Sequence, residues 1–157
     1  FNYKVIKYNM ILRKYTNNDF EECVQLFQQV YGETYPDFEP HYHEKQRFYD
    51  IMTNHVLPQN ELFVVSNNEI IIAFIAIHNN CLDQLYVTHS FQGKGVGSML
   101  VNKAKEINPE CMELFTFTQN NKAITFYEKH GFRIIKHGIA PDEKKPDVLM
   151  RWEKSNS

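Results

Sequence analysis

Apolar and polar positions recur along this chain with two periods, and the switches between them outline a fold. Residues 10–15, Met-Ile-Leu-Arg-Lys-Tyr, suit a short first strand. Asn17 and Asn18 then offer helix caps, and Phe20, Val24, Phe27 and Val30, with Cys23 and Leu26 beside them, make one helical stripe over 19–31. Pro36 and Pro40 break the pattern between 32 and 42. A second helix fits 44–56, with Phe48, Ile51, Met52 and Val56 on one side and Pro58 ending it. Residues 62–65 and 70–77 are β-rich runs around Ser66-Asn67-Asn68-Glu69, a hairpin signal. Asn79-Asn80 makes a second turn, and 82–87 is a third strand of the same antiparallel meander.

Beyond it the period becomes helical. Val96, Met99, Leu100, Ala104 and Ile107 share a face of a helix over 97–107, and Pro109 follows its end. A strand over 114–118 leads to Asn120, which caps a helix over 121–129, and Gly131 stands where a left-handed C-terminal residue is wanted. Residues 132–136 and 148–152 form a last strand pair across a polar loop holding Pro141 and Pro146. The order is β-α-α-β-β-β-α-β-α-β-β. The step from 82 to 118 implies a right-handed crossover, so those two strands run parallel. The fold class is therefore α/β in the mixed α+β sense: a mostly antiparallel sheet, one parallel pair, helices on both faces.

The bulk numbers narrow this picture. A chain of 157 residues suits one domain, placed at 10–153, with 1–9 an N-terminal extension or expression remnant and 154–157 a tail. The net charge of -2 and the lack of a Lys/Arg block argue against nucleic acid as a partner. The longest apolar run, 70–77, is far short of the roughly 20 residues a membrane helix needs, so no membrane is expected. Cys23, Cys81 and Cys111 lie far apart with no Cys-x-x-Cys pair, which argues against a disulfide framework and a zinc site. They read as three buried thiols in a reducing, cytoplasmic setting. No secretory signal pattern opens the sequence.

The sharpest feature is Gln92-Gly93-Lys94-Gly95-Val96-Gly97, between a strand and a helix. Glycine lets the backbone turn tightly and approach a ligand. The first N–H groups of the helix, including Ser98, have no internal partner and attract phosphate oxygens. Lys94 adds charge at the rim. A P-loop would need Gly-x-x-x-x-Gly-Lys-Ser/Thr, which does not occur. A dinucleotide fingerprint would need glycine at 98 or 100, where Ser98 and Leu100 stand. A pyrophosphate site for coenzyme A remains.

With these residues in view the chain resembles the GNAT superfamily of N-acetyltransferases. Gln92, Gly95 and Gly97 match that family's Gln/Arg-x-x-Gly-x-Gly/Ala motif at the start of its third helix. Asn120-x-x-Ala123-x-x-Phe126-Tyr127-Glu128-Lys129-His130-Gly131-Phe132 is similar to its second hallmark. The resemblance spans about 10–152 and is weakest over 32–57. It implies an acetyl-CoA-dependent N-acetyltransferase that moves an acetyl group to a primary amine through a tetrahedral intermediate. Acetyl-CoA is the donor substrate and no metal is required. Leu85, Tyr86 and Val87 are expected to pair with the pantetheine amides as an added strand would. Gln92, Gly93, Lys94, Gly95, Val96, Gly97, Ser98 and Asn120 complete the coenzyme set. Tyr127, beside the sulfur, acts as general acid.

The base stays open. Some family members carry glutamate where Cys81 stands here. Asp83, two residues on and on the same face unless a bulge intervenes, is the first candidate, with His78, His89 and water as alternatives. Tyr31, Tyr35, Phe38 and Tyr42, among Glu33, Asp37, Glu39 and Glu44, suit a cationic small-molecule acceptor, or else form a solvated acidic loop with its rings in the core. His41 and His43 are weak metal candidates in a loop. A non-catalytic acyl-CoA-binding or sensor module is the alternative reading. Exposed strand edges and the last hairpin are where two copies would pair as a homodimer.

Overall fold

In a computed structural model of the chain, the structure describes residues 8–155. Most of the 1–9 extension, and the end of the 154–157 tail, lie outside the described residues. The elements are β1 (Met10–Lys14), α1 (Phe20–Thr34), α2 (Lys45–Ile51), α3 (Leu57–Gln59), β2 (Glu61–Asn67), β3 (Ile70–His78), β4 (Cys81–Val87), α4 (Val96–Ile107), β5 (Cys111–Phe117), α5 (Asn121–Lys129), β6 (Arg133–Ile139) and β7 (Pro146–Glu153). This is the expected order except that the expected second helix is divided into α2 and α3, and most ends move by one to three residues. The strands form a single sheet in the order β1-β2-β3-β4-β5-β7-β6. Every neighbouring pair is antiparallel except β4 and β5.

The second helix departs most from expectation. Between α2 and α3 the chain widens into a π-helical turn, Met52–Val56, where Leu57 donates its N–H back to the Met52 carbonyl. Pro58 does not end the helix but lies inside its last turn, where its missing N–H removes one ladder bond. Asn60 closes the end, its main-chain and side-chain N–H groups both donating to the Val56 carbonyl, at 3.1 and 2.8 Å.

Each face of the sheet buries its own core. Val96, Leu100, Val101 and Ala104 of α4 and Tyr127 of α5 pack over Phe63, Val65, Ile75, Met112 and Val148. Cys23, Val24, Phe27 and Val30 of α1, with Phe48, Met52 and Val56, cover Leu62, Val64, Phe74 and Ala76 on the other face. The interior strand β3 is buried on both sides, which explains its continuous apolar run. β6 lies at the sheet edge and is exposed along its whole length. Of the three thiols expected in the core, only Cys23 is buried; Cys81 and Cys111 sit half-buried at strand starts.

Two features of β4 shape the centre of the molecule. First, Ile77 pairs with Leu82 and Ala76 with Gln84, leaving Asp83 as an extra residue in a β-bulge. The bulge interrupts the simple alternation on which Cys81 and Asp83 were expected to share a face. Its effect is visible downstream, because Leu82, Leu85 and Val87 all face the α4 core while Tyr86 faces α1. Second, the parallel pairing of β4 with β5 is made at Cys81 and Glu113, supported by the Glu113 N–H to Asn80 carbonyl bond of 2.8 Å. Toward their C-terminal ends the two strands part.

Candidate active site

The gap between β4 and β5 opens into a cleft of about 820 Å³ that passes from α4 and α5 to α1 and the β6–β7 loop. Thr88 donates its N–H to Ile72 of β3 at 2.8 Å. Main-chain groups alternate direction along a strand, so those of Val87 and Leu85 point away from β3 and into the gap. The Val87 carbonyl is held there by Gln92 Nε2 at 2.9 Å. Leu85 is left with main-chain groups turned to an edge that β5 has abandoned. Tyr86 places its ring against Phe27, with centroids 4.6 Å apart.

At one end of the cleft lies the glycine bend. Gly93 and Gly95 adopt φ of +75° and +85°, and a side chain on either would meet open space. Their glycines answer to backbone conformation. Gly97 answers to packing: a Cβ there would lie 3.0 Å from the Phe126 ring. Gly95 caps α4, and the first helical bond runs from Met99 N–H to the Gly95 carbonyl at 3.0 Å. The N–H groups of Val96, Gly97 and Ser98 therefore have no acceptor inside the helix. Val96 itself is fully buried and offers only its main chain. Ser98 lines the cleft with its hydroxyl 3.0 Å from His130 Nε2. Burial, and then the nearby Lys105, push the His130 pKa down.

Lys94 does not stand at the rim as expected. Its ammonium bonds the Tyr8 hydroxyl at 3.2 Å and lies over the Tyr8 and Phe91 rings, away from the cleft lining. Lys122 of α5 is the cation beside the bend, its Nζ donating to Gln92 Oε1 at 2.6 Å. Sequence reading missed it because it fills an unspecified position of the second motif, 30 residues from Gln92.

Tyr127 reaches the middle of the cleft from α5. Its ring belongs to the core, 7% exposed, while the residue also lines the cleft. Burial, with a smaller contribution from Tyr35, raises its phenol pKa well above the ordinary value, so the group stays protonated at neutral pH. Asn120 caps α5 through its side-chain oxygen, which accepts from the Ala123 N–H at 3.1 Å, and its Nδ2 donates to the Tyr35 hydroxyl at 3.0 Å. Both polar atoms of Asn120 thus have protein partners, and the residue also lines the cleft.

Asp83 lines the cleft and accepts from Asn60 Nδ2 at 3.0 Å. His78 and His89 are exposed and lie outside the lining. The aromatic loop turns its rings inward: Tyr31, Tyr35 and Phe38 are buried, and Tyr35 stacks on Phe38 at 4.8 Å. Arg47 of α2 already lies over the Tyr31 and Tyr42 rings and bonds Asp142 and Glu143 at 2.9 and 3.2 Å. Tyr31 adds a bond of 3.0 Å to Glu143. Arg47, Asp142 and Glu143 were invisible as a group in the sequence, because some 95 residues separate the two sides. His43 bonds the Phe38 carbonyl at 3.2 Å, and among the described residues no cluster of His, Cys, Asp or Glu is placed to hold a metal ion. No helix among them is long and apolar enough to cross a membrane.

Residues 58–134, which hold the bulge, the bend and Tyr127, match the acetyltransferase (GNAT) domain family. Over this stretch the chain carries a GNAT acetyltransferase domain. It is 26% identical over 146 residues to an uncharacterized N-acetyltransferase of Methanocaldococcus jannaschii, covering 80% of this chain and 63% of that one. It is 30% identical over 95 residues to the peptidyl-lysine N-acetyltransferase YjaB of Salmonella typhimurium, covering 60% of this chain and 65% of that one. The chain thus spans somewhat under two thirds of each of these curated relatives. Among solved structures, the PaiA N-acetyltransferase of Thermoplasma acidophilum in complex with coenzyme A shares the GNAT fold, with a TM-score of 0.71, 19% identity, and 92% of this chain and 99% of that one covered.

Proposed function

We propose that this GNAT chain transfers the acetyl group of acetyl-CoA to a primary amine. The observation that carries the reading is the gap between β4 and β5, which has free helix N–H groups at one end and a protonated, buried phenol inside it. The amides of Val96, Gly97 and Ser98 meet the diphosphate, with Lys122 adding positive charge beside them. The outward groups of Leu85 and Val87 pair with the pantetheine amides in the place β5 leaves open. PaiA, which has the same fold, was captured with coenzyme A, and this supports the assignment of the cleft.

The acceptor enters from the α1 side. Its nitrogen lone pair attacks the thioester carbonyl, and the oxyanion that forms is met by a main-chain N–H of the outward-facing β4 groups. Collapse breaks the C–S bond, and the leaving thiolate takes the Tyr127 proton. The proton lost by the attacking nitrogen passes to Asp83 or to water. An amine acceptor is in keeping with YjaB, whose name specifies peptidyl-lysine.

The test combines calorimetric binding of acetyl-CoA with release of free coenzyme A thiol in the presence of a panel of primary amines. Tyr127→Phe is expected to lower turnover by about 10²- to 10⁴-fold with acetyl-CoA affinity unchanged. Equal turnover in the variant would remove Tyr127 from the chemistry. Absence of acetyl-CoA binding to the parent protein would end the whole reading, and binding without transfer to any amine would make the chain a sensor module.

A further inference from the structure

The α1 side of the cleft holds a carboxylate that nothing else in the structure engages. Asp147 is 8% exposed and lines the cleft, yet among the described residues its side chain takes part in no hydrogen bond and no ion pair. The cations around it are committed elsewhere. Arg47 bonds Asp142 and Glu143, and Lys145 pairs with Glu39 at 3.6 Å. A largely buried carboxylate whose oxygens open onto the cleft and have no protein partner among the described residues offers a place for a cation.

Register explains how Asp147 comes to face the cleft. It stands at the start of β7 opposite Phe117 of β5 on one side and Gly138 of β6 on the other. Directly opposed residues in antiparallel strands share a face. Phe117 packs into the α1 core, so Asp147 projects to that face, while its neighbour Val148 lies in the α4 core. Gly138 keeps the space above it clear: a Cβ at 138 would come within 3.1 Å of Asp147 Oδ1. Asp83, from the opposite strand of the gap, adds a second carboxylate whose recorded partner is a neutral amide.

The geometry points to Asp147 as the counter-ion for a second, non-reacting ammonium group of the acceptor, so that this enzyme's substrate carries a cation besides the neutral amine that attacks. The inference rests on the acetyl-transfer reading and adds to it a specificity-determining residue in β7. The aromatic loop does not supply this charge, because its rings are packed inward and already covered by Arg47. An ammonium group held by Asp147 lies on the side of the sheet opposite α4, across the gap from the diphosphate-binding bend. Donor and acceptor then approach the thioester from different faces of the sheet without competing.

Calorimetric titration of 1,4-diaminobutane into the protein saturated with coenzyme A tests this directly. The parent protein is expected to bind the diamine, and Asp147→Asn to bind it about 10- to 100-fold more weakly with coenzyme A affinity unchanged, as expected for loss of a charged hydrogen-bond partner. Gly138→Ala, which leaves the carboxylate in place but crowds it, is expected to weaken the diamine in the same direction. It serves as the second probe if the Asn variant fails to fold. Equal affinity in parent and variants, or no diamine binding to the parent, overturns the assignment. Thiol release from acetyl-CoA in parallel samples given the same diamine, with no free coenzyme A added, separates the two readings. Diamine binding that depends on Asp147 without any acetyl transfer ends the enzymatic reading alone; transfer whose KM ignores Asp147→Asn ends only this one.

Discussion

Gly95 and Gly97 are two residues apart, and each is glycine for its own reason. Gly95 holds a left-handed backbone beside open space, whereas Gly97 has an ordinary backbone under the Phe126 ring. Alanine at 95 is expected to cost about 1–2 kcal/mol, the penalty of a left-handed L-residue. Alanine at 97 is expected to cost about 1–3 kcal/mol through overpacking, and to be rescued in part by Phe126→Leu. Denaturant unfolding of the three variants checks this; rescue of the Gly95 variant by Phe126→Leu would show that the two roles are confused. At this scale the sequence displays the bend plainly but not its division of labour. A glycine that avoids a ring 29 positions away looks the same in sequence as one that turns the chain. Lys94 illustrates the same blindness, since its neighbours in space, Tyr8 and Phe91, decide where its charge goes.

At the scale of elements, the periodicities carry most of the fold. Alternation and helical stripes are local properties, so the meander, α4 and α5 are readable from residue order alone. What local pattern cannot report is register. Neither the bulge at Asp83 nor the π-turn before Pro58 alters the spacing of apolar residues enough to be seen, and both depend on pairing partners elsewhere in the chain. Asn120 is a test of how far a cap acts as more than a cap. Asn120→Ala removes the bond to the Ala123 N–H and frees the Tyr35 hydroxyl, with an expected loss of about 0.5–2 kcal/mol. Asn120→Asp keeps the cap but not the donor to Tyr35. Thermal melts of the two variants should therefore separate, with Asn120→Asp close to the parent; coincident melts would show that the Tyr35 bond, not the cap, carries the stability.

At the scale of the molecule, the α1 side of the cleft is assembled by contacts that join α1 and α2 to the β6–β7 loop. Arg47, Tyr31 and Tyr42 reach Asp142 and Glu143 across roughly two thirds of the chain. Such contacts leave no mark in the sequence, where 140–147 reads simply as a polar loop between prolines. Arg47→Ala removes charge-assisted bonds and leaves Glu143, 13% exposed at its side chain, without its cation. The expected cost is about 1.5–3 kcal/mol, with faster amide exchange over 140–147 and little change in the strands β1 to β4. Unchanged exchange in the loop would mean that its own prolines, rather than Arg47, hold it in place.

The single ladder pair between β4 and β5 has a mechanical meaning. Strands β1 to β4 and strands β5 to β7 are two plates joined at Cys81 and Glu113, so that rung is a pivot and the mouth of the gap lies at the far end of the lever. A small change in twist anywhere in either plate is magnified at the mouth. The width of the gap is thus set by the whole sheet, and substitutions far from the cleft have a physical route to its aperture.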